Sequence, residues 1–279
     1  MADKQDLDVS ADAGNRAVAE ARRAGQAAEH PRHSEIVVAS YNVHKCVGID
    51  RRFDPGRIME VISEIGADVI ALQEADQRFG DRAGLLDLHA IERETGLVPV
   101  QLAGRSKSHG WHGNVVLFRK GTVTSARQLV LPGAEPRGAV IVDLDLEAGP
   151  MRLIAAHFGL LKHSRKLQAG TLLSAAELHS DKPTVLVGDL NEWRLGKRSS
   201  LRSLTPAFGP AHALVPSFPS RFPVLALDRV MVRPPSLLTD IEAHDTELAR
   251  VASDHLPIKA IIRLRSSLNG ADAGRSAAA

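Results

Sequence analysis

The sequence predicts a mixed α/β fold, and three observations carry the prediction. Val, Ile, Leu and Ala are abundant while aromatic residues make up only 4% of the chain, an aliphatic makeup suited to packing between sheets and helices. The first apolar segments read as strand, helix, strand. Several later strands are separated by turns too short for a crossover helix, which favours antiparallel neighbours over the all-parallel order of a Rossmann sheet.

The first strand is EIVVASYNVH, a β-branched run that ends in polar residues with Asn42 near its C-terminal end. Asp54-Pro55 supplies a helix cap and first turn, Ile58, Val61, Ile62 and Ile65 recur at helical spacing, and Gly66 stops the helix. ADVIALQEAD is the second strand and places Glu74 at its end, close to Asn42 if the two strands share a sheet. GNVVLFRK, TVTSARQLVL, GAVIVDLDL and MRLIAAHFG follow, with short turns at Lys120-Gly121 and at Ala148-Gly149-Pro150, so they are expected as successive antiparallel neighbours. Ser164 to Ser180 reads as a helix on the pattern Leu167, Leu172, Leu173, Ala176 and Leu178. PTVLVGDLNEW is the next buried strand, and VLALDRVMV and HLPIKAIIRL are expected to be the last two.

Residues 1–34 lack bulky apolar periodicity and read as a disordered extension, residues 35–266 as one catalytic domain, and residues 267–279 as a flexible tail. No run approaches the ~20 apolar residues that cross a bilayer, and the N-terminus does not read as a secretory signal. Cys46 is the only cysteine, which excludes an intramolecular disulfide and a Cys-rich zinc site. A cytoplasmic monomer is expected. With 35 Lys plus Arg against 33 Asp plus Glu, bulk charge makes no case for nucleic acid or an anionic membrane.

The chemistry-bearing candidates are polar groups at strand ends. Asp189 and Asn191 emerge two residues apart just past a buried strand, where the acid can orient and deprotonate water and the amide can donate to a phosphoryl oxygen. A strand-terminal turn would use the same residues. Glu74 is a hard oxygen ligand of the kind Mg²⁺ or Mn²⁺ prefers, or else a solvated strand cap. Asp228 can hold His255, fixing its tautomer, if the strands that carry them are neighbours. His157 is either a core histidine or a catalytic one.

In order, SYNVH, ALQEAD, GNVVL, AAHFG, GDLNEW, LDRVMV and SDHLPI resemble the successive signatures of the endonuclease/exonuclease/phosphatase family across about residues 36 to 264. The wording around NVH resembles a compact bacterial branch. The resemblance implies a four-layer α/β/β/α sandwich of two mixed β-sheets flanked by helices. It also implies a divalent-metal-dependent phosphoester hydrolase, most simply a phosphodiesterase or nuclease, acting on nucleic acid, phospholipid or a small phosphoester. On that likeness Glu74, with Asn42 and Asp254, holds Mg²⁺ or Mn²⁺, and Asp189 activates water with Asn191 on the phosphate. Asp228 orients His255, which contacts phosphate together with His157. Asp189 ranks ahead of His255 as general base. Asn114, His112, Lys45 and Arg52 are candidate substrate contacts. The tyrosine that several family nucleases place near the phosphate has no counterpart, since the only tyrosine is Tyr41, and His109, Trp111 or His112 could replace it. A phospholipid or inositol-phosphate phosphoesterase is the nearest alternative, and a non-catalytic scaffold retaining the fold is the alternative of another class.

Overall fold

The computed structural model describes residues 35–264 apart from 78–79, 104–106, 177, 179–181 and 210–213. The expected N-terminal extension and C-terminal tail lie outside the described residues. The elements run β1 (Glu35–Asn42), α1 (Pro55–Ile65), β2 (Val69–Gln73), α2 (Leu88–Thr95), β3 (Val98–Pro99), β4 (Val115–Phe118), β5 (Gly121–Leu131), β6 (Arg137–Leu146), β7 (Gly149–Ala156), α3 (Lys162–Ala176), β8 (Thr184–Asp189), α4 (Thr205–Phe208), β9 (Asp228–Arg233), β10 (Leu238–Ala243), α5 (Glu247–Ala252) and β11 (Ile258–Arg263).

They build two mixed sheets, one of order β10-β11-β1-β2-β4-β3 and one of order β5-β6-β7-β8-β9. Alternation along each strand sorts side chains into layers. Val38, Val69, Ala71, Val142, Leu153, Val185, Val187, Val230 and Ile258 share the core between the sheets. On the outer face of the six-stranded sheet, Tyr41, Ile70 and Leu72 pack with Ile58, Val61 and Ile62 of α1, Ile91 of α2 and Ala249 of α5. On the outer face of the five-stranded sheet, Ile154, Leu186 and Met231 pack with Leu172 of α3 and Phe208 of α4. The result is a four-layer α/β/β/α sandwich. Strands buried on both faces read as unbroken apolar runs, which is why the sequence shows them so clearly.

Helix α1 starts and stops as its sequence predicts. The Asp54 side chain accepts from the Arg57 amide, Pro55 opens the first turn, and Gly66 closes the helix at φ 64°. Strands β1 and β2 are parallel neighbours with Asn42 opposite Gln73.

Three expectations need correction, and one helix was not expected. The Lys120-Gly121 turn does not join antiparallel neighbours: β4 belongs to the six-stranded sheet and β5 to the other, so a short connection here crosses between layers. Strands β9 and β11 do not pair. They belong to opposite sheets, and β10, which was not expected as a strand, pairs with β11 instead. Leu167 is exposed, and the buried stripe of α3 includes Arg165 and Gln168, polar side chains that tie the helix to neighbouring loops. The short helix α2, capped by Asp87 and closed by Gly96 in the left-handed region, was not read either. No helix among the described residues is long and apolar enough to cross a membrane.

Candidate active site

Both sheets deliver polar residues to the same end of the sandwich. Asn42 ends β1 and Glu74 follows β2, while Asp254 and His255 precede β11, which runs antiparallel to β1. From the other sheet come His157 after β7, Asp189 at the end of β8, and Asp228, directly opposite Asp189 at the start of β9.

Asp189 is at the centre and almost fully buried. Its Oδ1 accepts from the Asn191 backbone amide at 3.0 Å. Its Oδ2 accepts from Asn42 Nδ2 at 3.0 Å, across the two sheets, and lies 3.4 Å from Asn191 Nδ2. The same oxygen is 3.5 Å from His157 Nε2 and 3.9 Å from His255 Nε2. Burial raises the Asp189 pKa, opposed by His255 and reinforced by the Asp228 charge. A carboxylate made more basic in this way is suited to accept a proton.

The other ring nitrogen of His255, Nδ1, is 2.8 Å from Asp228 Oδ2, and the Ser217 hydroxyl donates to that same oxygen at 2.5 Å. Burial alone would lower the His255 pKa, but the carboxylates of Asp228 and Asp189 overcome it and hold the imidazole protonated. Asp228 and His255 thus meet although the strands that carry them are not neighbours in one sheet: the contact spans the gap between facing sheets. Phe218 packs against the imidazole with ring centroids 4.9 Å apart.

A pocket beside this cluster is lined by Lys45, Glu74, Asp76, Arg82, His112, Glu135, Pro136, Arg137 and His157. The Lys45 ammonium pairs with Glu74. Burial pushes the Glu74 pKa up, yet hydrogen bonding and charge from Lys45 hold it below the usual value. Arg137 Nη1 lies 2.9 Å from both ring nitrogens of His157, and its guanidinium also pairs with Glu135. Arg82 pairs with Asp76, so the wall carries three cations matched by three carboxylates, together with His112 and His157.

Backbone strain gathers here. Nine described non-glycine residues have positive φ, and seven of them lie in or next to the site: His44 (44°), Lys45 (54°), Cys46 (59°), Glu74 (55°), Arg82 (52°), His112 (49°) and Asn191 (52°). Such conformations persist only where the surroundings over-determine them. Three in succession turn the chain after β1 so that Lys45 meets Glu74.

The groups at hand for a divalent ion are oxygens of Glu74, Asp254 and Asn42. Asp254 Oδ1 is buried without a hydrogen-bond partner, 3.6 Å from His44 Nδ1. Asn42 Oδ1 accepts from the His44 amide at 3.0 Å. Among the described residues no three His, Cys, Asp or Glu side chains gather into a protein cage. Two carboxylates and an amide oxygen fit a hard ion that keeps much of its water, as Mg²⁺ does, and do not fit zinc.

The remaining candidates separate. His112 and Lys45 line the pocket, whereas Arg52 is exposed on the loop after β1 and does not line it. Asn114 is fully buried, and its Nδ2 donates to the carbonyls of Trp111 and Gly138, stitching β4 to β6. His109 Nε2 is 2.8 Å from the Leu86 carbonyl, and Trp111 Nε1 donates to the Leu129 carbonyl. Tyr41 is buried on the helix-facing side of its sheet, away from the pocket. Cys46 is a core residue whose thiol burial pushes up to about 12, with a contribution from Asp54.

Sequence reading missed Arg137, Glu135, Asp76, Arg82 and Ser217. Glu135-Pro136-Arg137 opens the strand GAVIVDLDL, so a charged pair at a strand end was a usable signal. Ser217 carried none, because it sits in an irregular loop whose fold back onto Asp228 no periodicity marks.

A model of the family described as "Endonuclease/Exonuclease/phosphatase family" matches residues 39–255. The uncharacterized protein YbhP of Escherichia coli (strain K12) is 28% identical over 250 residues, spanning 81% of this chain and 96% of that protein. The crystal structure of an endonuclease/exonuclease/phosphatase from Beutenbergia cavernae DSM 12333 superposes with a TM-score of 0.63 at 21% identity, covering 83% of this chain and 72% of the other. That of the mannosyl-6-phosphatase Bt3783 from Bacteroides thetaiotaomicron VPI-5482 gives 0.60 at 17% identity, covering 81% and 99%. These structures share the sandwich, and with the matched strand ends spanning most of the chain, the protein belongs to the endonuclease/exonuclease/phosphatase family.

Proposed function

We propose that the protein is a cytoplasmic, monomeric, divalent-metal-dependent phosphodiesterase in which Asp189 activates the attacking water. Members of the family are generally phosphoester hydrolases and typically use divalent metals. The observation that carries the reading is the buried Asp189 carboxylate, held by Asn42 and Asn191 with His157 and His255 facing the same oxygen.

Asp189 accepts the proton of a water as that water's oxygen bonds to phosphorus. His255, kept cationic by Asp228, stabilises charge growing on the phosphoryl oxygens and can protonate the departing alkoxide. Asn191, His157 and Arg137 hold the phosphoryl group in place, His112 borders it, and Lys45 adds positive charge beside Glu74. The P–O bond to the leaving group breaks as the new one forms, giving a phosphomonoester and an alcohol. Glu74, Asp254 and Asn42 would hold the divalent ion, which when bound neutralises phosphate charge. A single thiol, buried and unreactive, suits a reducing compartment.

With Mg²⁺ or Mn²⁺ the protein is expected to hydrolyse bis-p-nitrophenyl phosphate, and EDTA should remove the activity. Asp189→Ala should lower turnover ~10²–10⁴-fold. Turnover indifferent to both treatments would sink the proposal and favour a binding scaffold.

A further inference from the structure

Eleven large apolar side chains are exposed among the described residues, and they are not scattered evenly. Eight sit on four loops at the end of the sandwich that carries the site. Three of these loops share one sheet end. Parallel strands β7 and β8 finish there, and antiparallel β9 starts there opposite Asp189. The loop after His157 exposes Leu160 at 65% and Leu161 at 55%. The loop after Asn191 exposes Trp193 and Leu195, and the loop before Asp228 exposes Phe222 at 68% and Val224 at 72%. The fourth loop, after Asn42, adds Ile49 and Phe53.

Charge on the three loops is one-sided. Residues 157–163, 190–202 and 214–227 contain Lys162, Arg194, Lys197, Arg198, Arg202 and Arg221, against a single acid, Glu192, which is fully buried. The whole chain has an excess of only two positive charges, so these three loops are more basic than the chain as a whole. Cation and apolar group alternate at the loop tips. The Arg194 guanidinium lies 4.3 Å from the centroid of the Trp193 ring, and that of Arg221 lies 5.7 Å from the Phe222 ring. A groove of about 580 Å³ on the same loop has Leu201, Leu214 and Met231 in its lining with Arg194, Lys197 and Arg202.

We infer that this rim docks on an anionic phospholipid bilayer, placing the hydrolytic site against headgroup phosphodiesters. Apolar tips enter the acyl boundary while the surrounding arginines and lysines meet lipid phosphates, the division of labour seen in peripheral anchors. Single-stranded nucleic acid would also use positive charge and the two aromatic rings, but it offers nothing to the aliphatic tips Leu160, Leu161, Leu195 and Val224. The four aliphatic side chains decide for a bilayer. The substrate half of this inference rests on the proposed hydrolase reading, and the docking half does not.

The full chain carries its own reporter, because it has two tryptophans and Trp111 is tied inside by its bond to Leu129. Vesicles of phosphatidylcholine with phosphatidylglycerol are expected to co-sediment the protein and to shift Trp193 emission to the blue, more weakly in high salt. Pure phosphatidylcholine should bind less. Trp193→Phe should remove the spectral shift, and the double variant Leu195→Ser, Phe222→Ser should partition at least about tenfold more weakly. A charge variant, Lys197→Glu with Arg221→Glu, should lose the preference for anionic vesicles. Circular dichroism melts show whether each variant is folded. Failure of the wild-type chain to bind anionic vesicles, or binding that the folded variants leave unchanged, overturns the inference. So does binding of a fluorescent single-stranded oligonucleotide in place of vesicles, sensitive to the same substitutions. Turnover of bis-p-nitrophenyl phosphate without vesicles is scored separately, so loss of the hydrolase reading and loss of the docking surface give different results.

Discussion

Asp228 acts through a neighbour. Its Oδ2 faces His255 Nδ1 and accepts from Ser217, and its charge opposes the desolvation that would otherwise strip the imidazole of its proton. Asp228→Asn preserves the shape and removes that charge. Turnover of a diester is expected to fall ~10²–10⁴-fold with little change in KM, measured by steady-state kinetics, and turnover near wild type would leave Asp228 a packing role only. The residues that sequence reading found share one trait, a polar side chain directly after or before a buried strand, as at Asp189, Asn191, Asp228 and His255. Those it missed, such as Arg137 and Ser217, matter because of contacts to His157 and Asp228 made by the path of the chain, and no local periodicity encodes that meeting. Asn42 shows the boundary: its position at a strand end was readable, but its bond to Asp189 depends on how one sheet lies on the other.

The β7–β8 pair shows how an element positions the site. Gly188 precedes Asp189 at φ 143°, and a Cβ there would meet the Ala156 carbonyl oxygen at 1.8 Å. The close approach leaves no room for a side chain. Gly188→Ala should therefore cost roughly 1–3 kcal/mol or more, read from urea unfolding, and should also lower turnover by displacing Asp189, the proposed general base. An unchanged midpoint would show that the strands can part without penalty. Element identity was readable where periodicity was strong, as in α1, whose cap, Pro55 and Gly66 all agree. Partnership was harder to read. A two-residue turn such as Lys120-Gly121 resembles a hairpin locally, and only the layering shows that β4 and β5 separate into different sheets. In α3 the apolar pattern misled because the helix buries Arg165 and Gln168 while Leu167 faces out.

Across the whole molecule, a buried ion pair ties the helix layer to the site loops. Glu192 Oε2 accepts from the Ser200 amide at 2.8 Å and lies 3.4 Å from Arg165 Nη2, while Arg165 also donates to the Gly159 carbonyl. Glu192→Ala strands the Arg165 charge and should cost ~3–5 kcal/mol, visible as a large fall in the denaturation midpoint; a fall within error would mean that water replaces the pair. Burial raises the Glu192 pKa, but its hydrogen bonds with Ser200 and Arg194 outweigh that and hold it below its ordinary value. Its stabilising contribution is complete above the unfolded-state pKa and is lost as pH falls through the folded one. The sandwich itself was readable only through the order of its signatures, since composition and turn length reach no further than mixed α/β. Because Asn42 and His255 belong to one sheet and Asp189 and Asp228 to the other, the reactive group is assembled across a seam that no backbone ladder crosses. A slide of less than an ångström between the layers would unmake it while every strand kept its partners. On the proposed mechanism, turnover would measure the registry of the two sheets, and under denaturant or pressure it should fade while the circular dichroism of the sheets is still native.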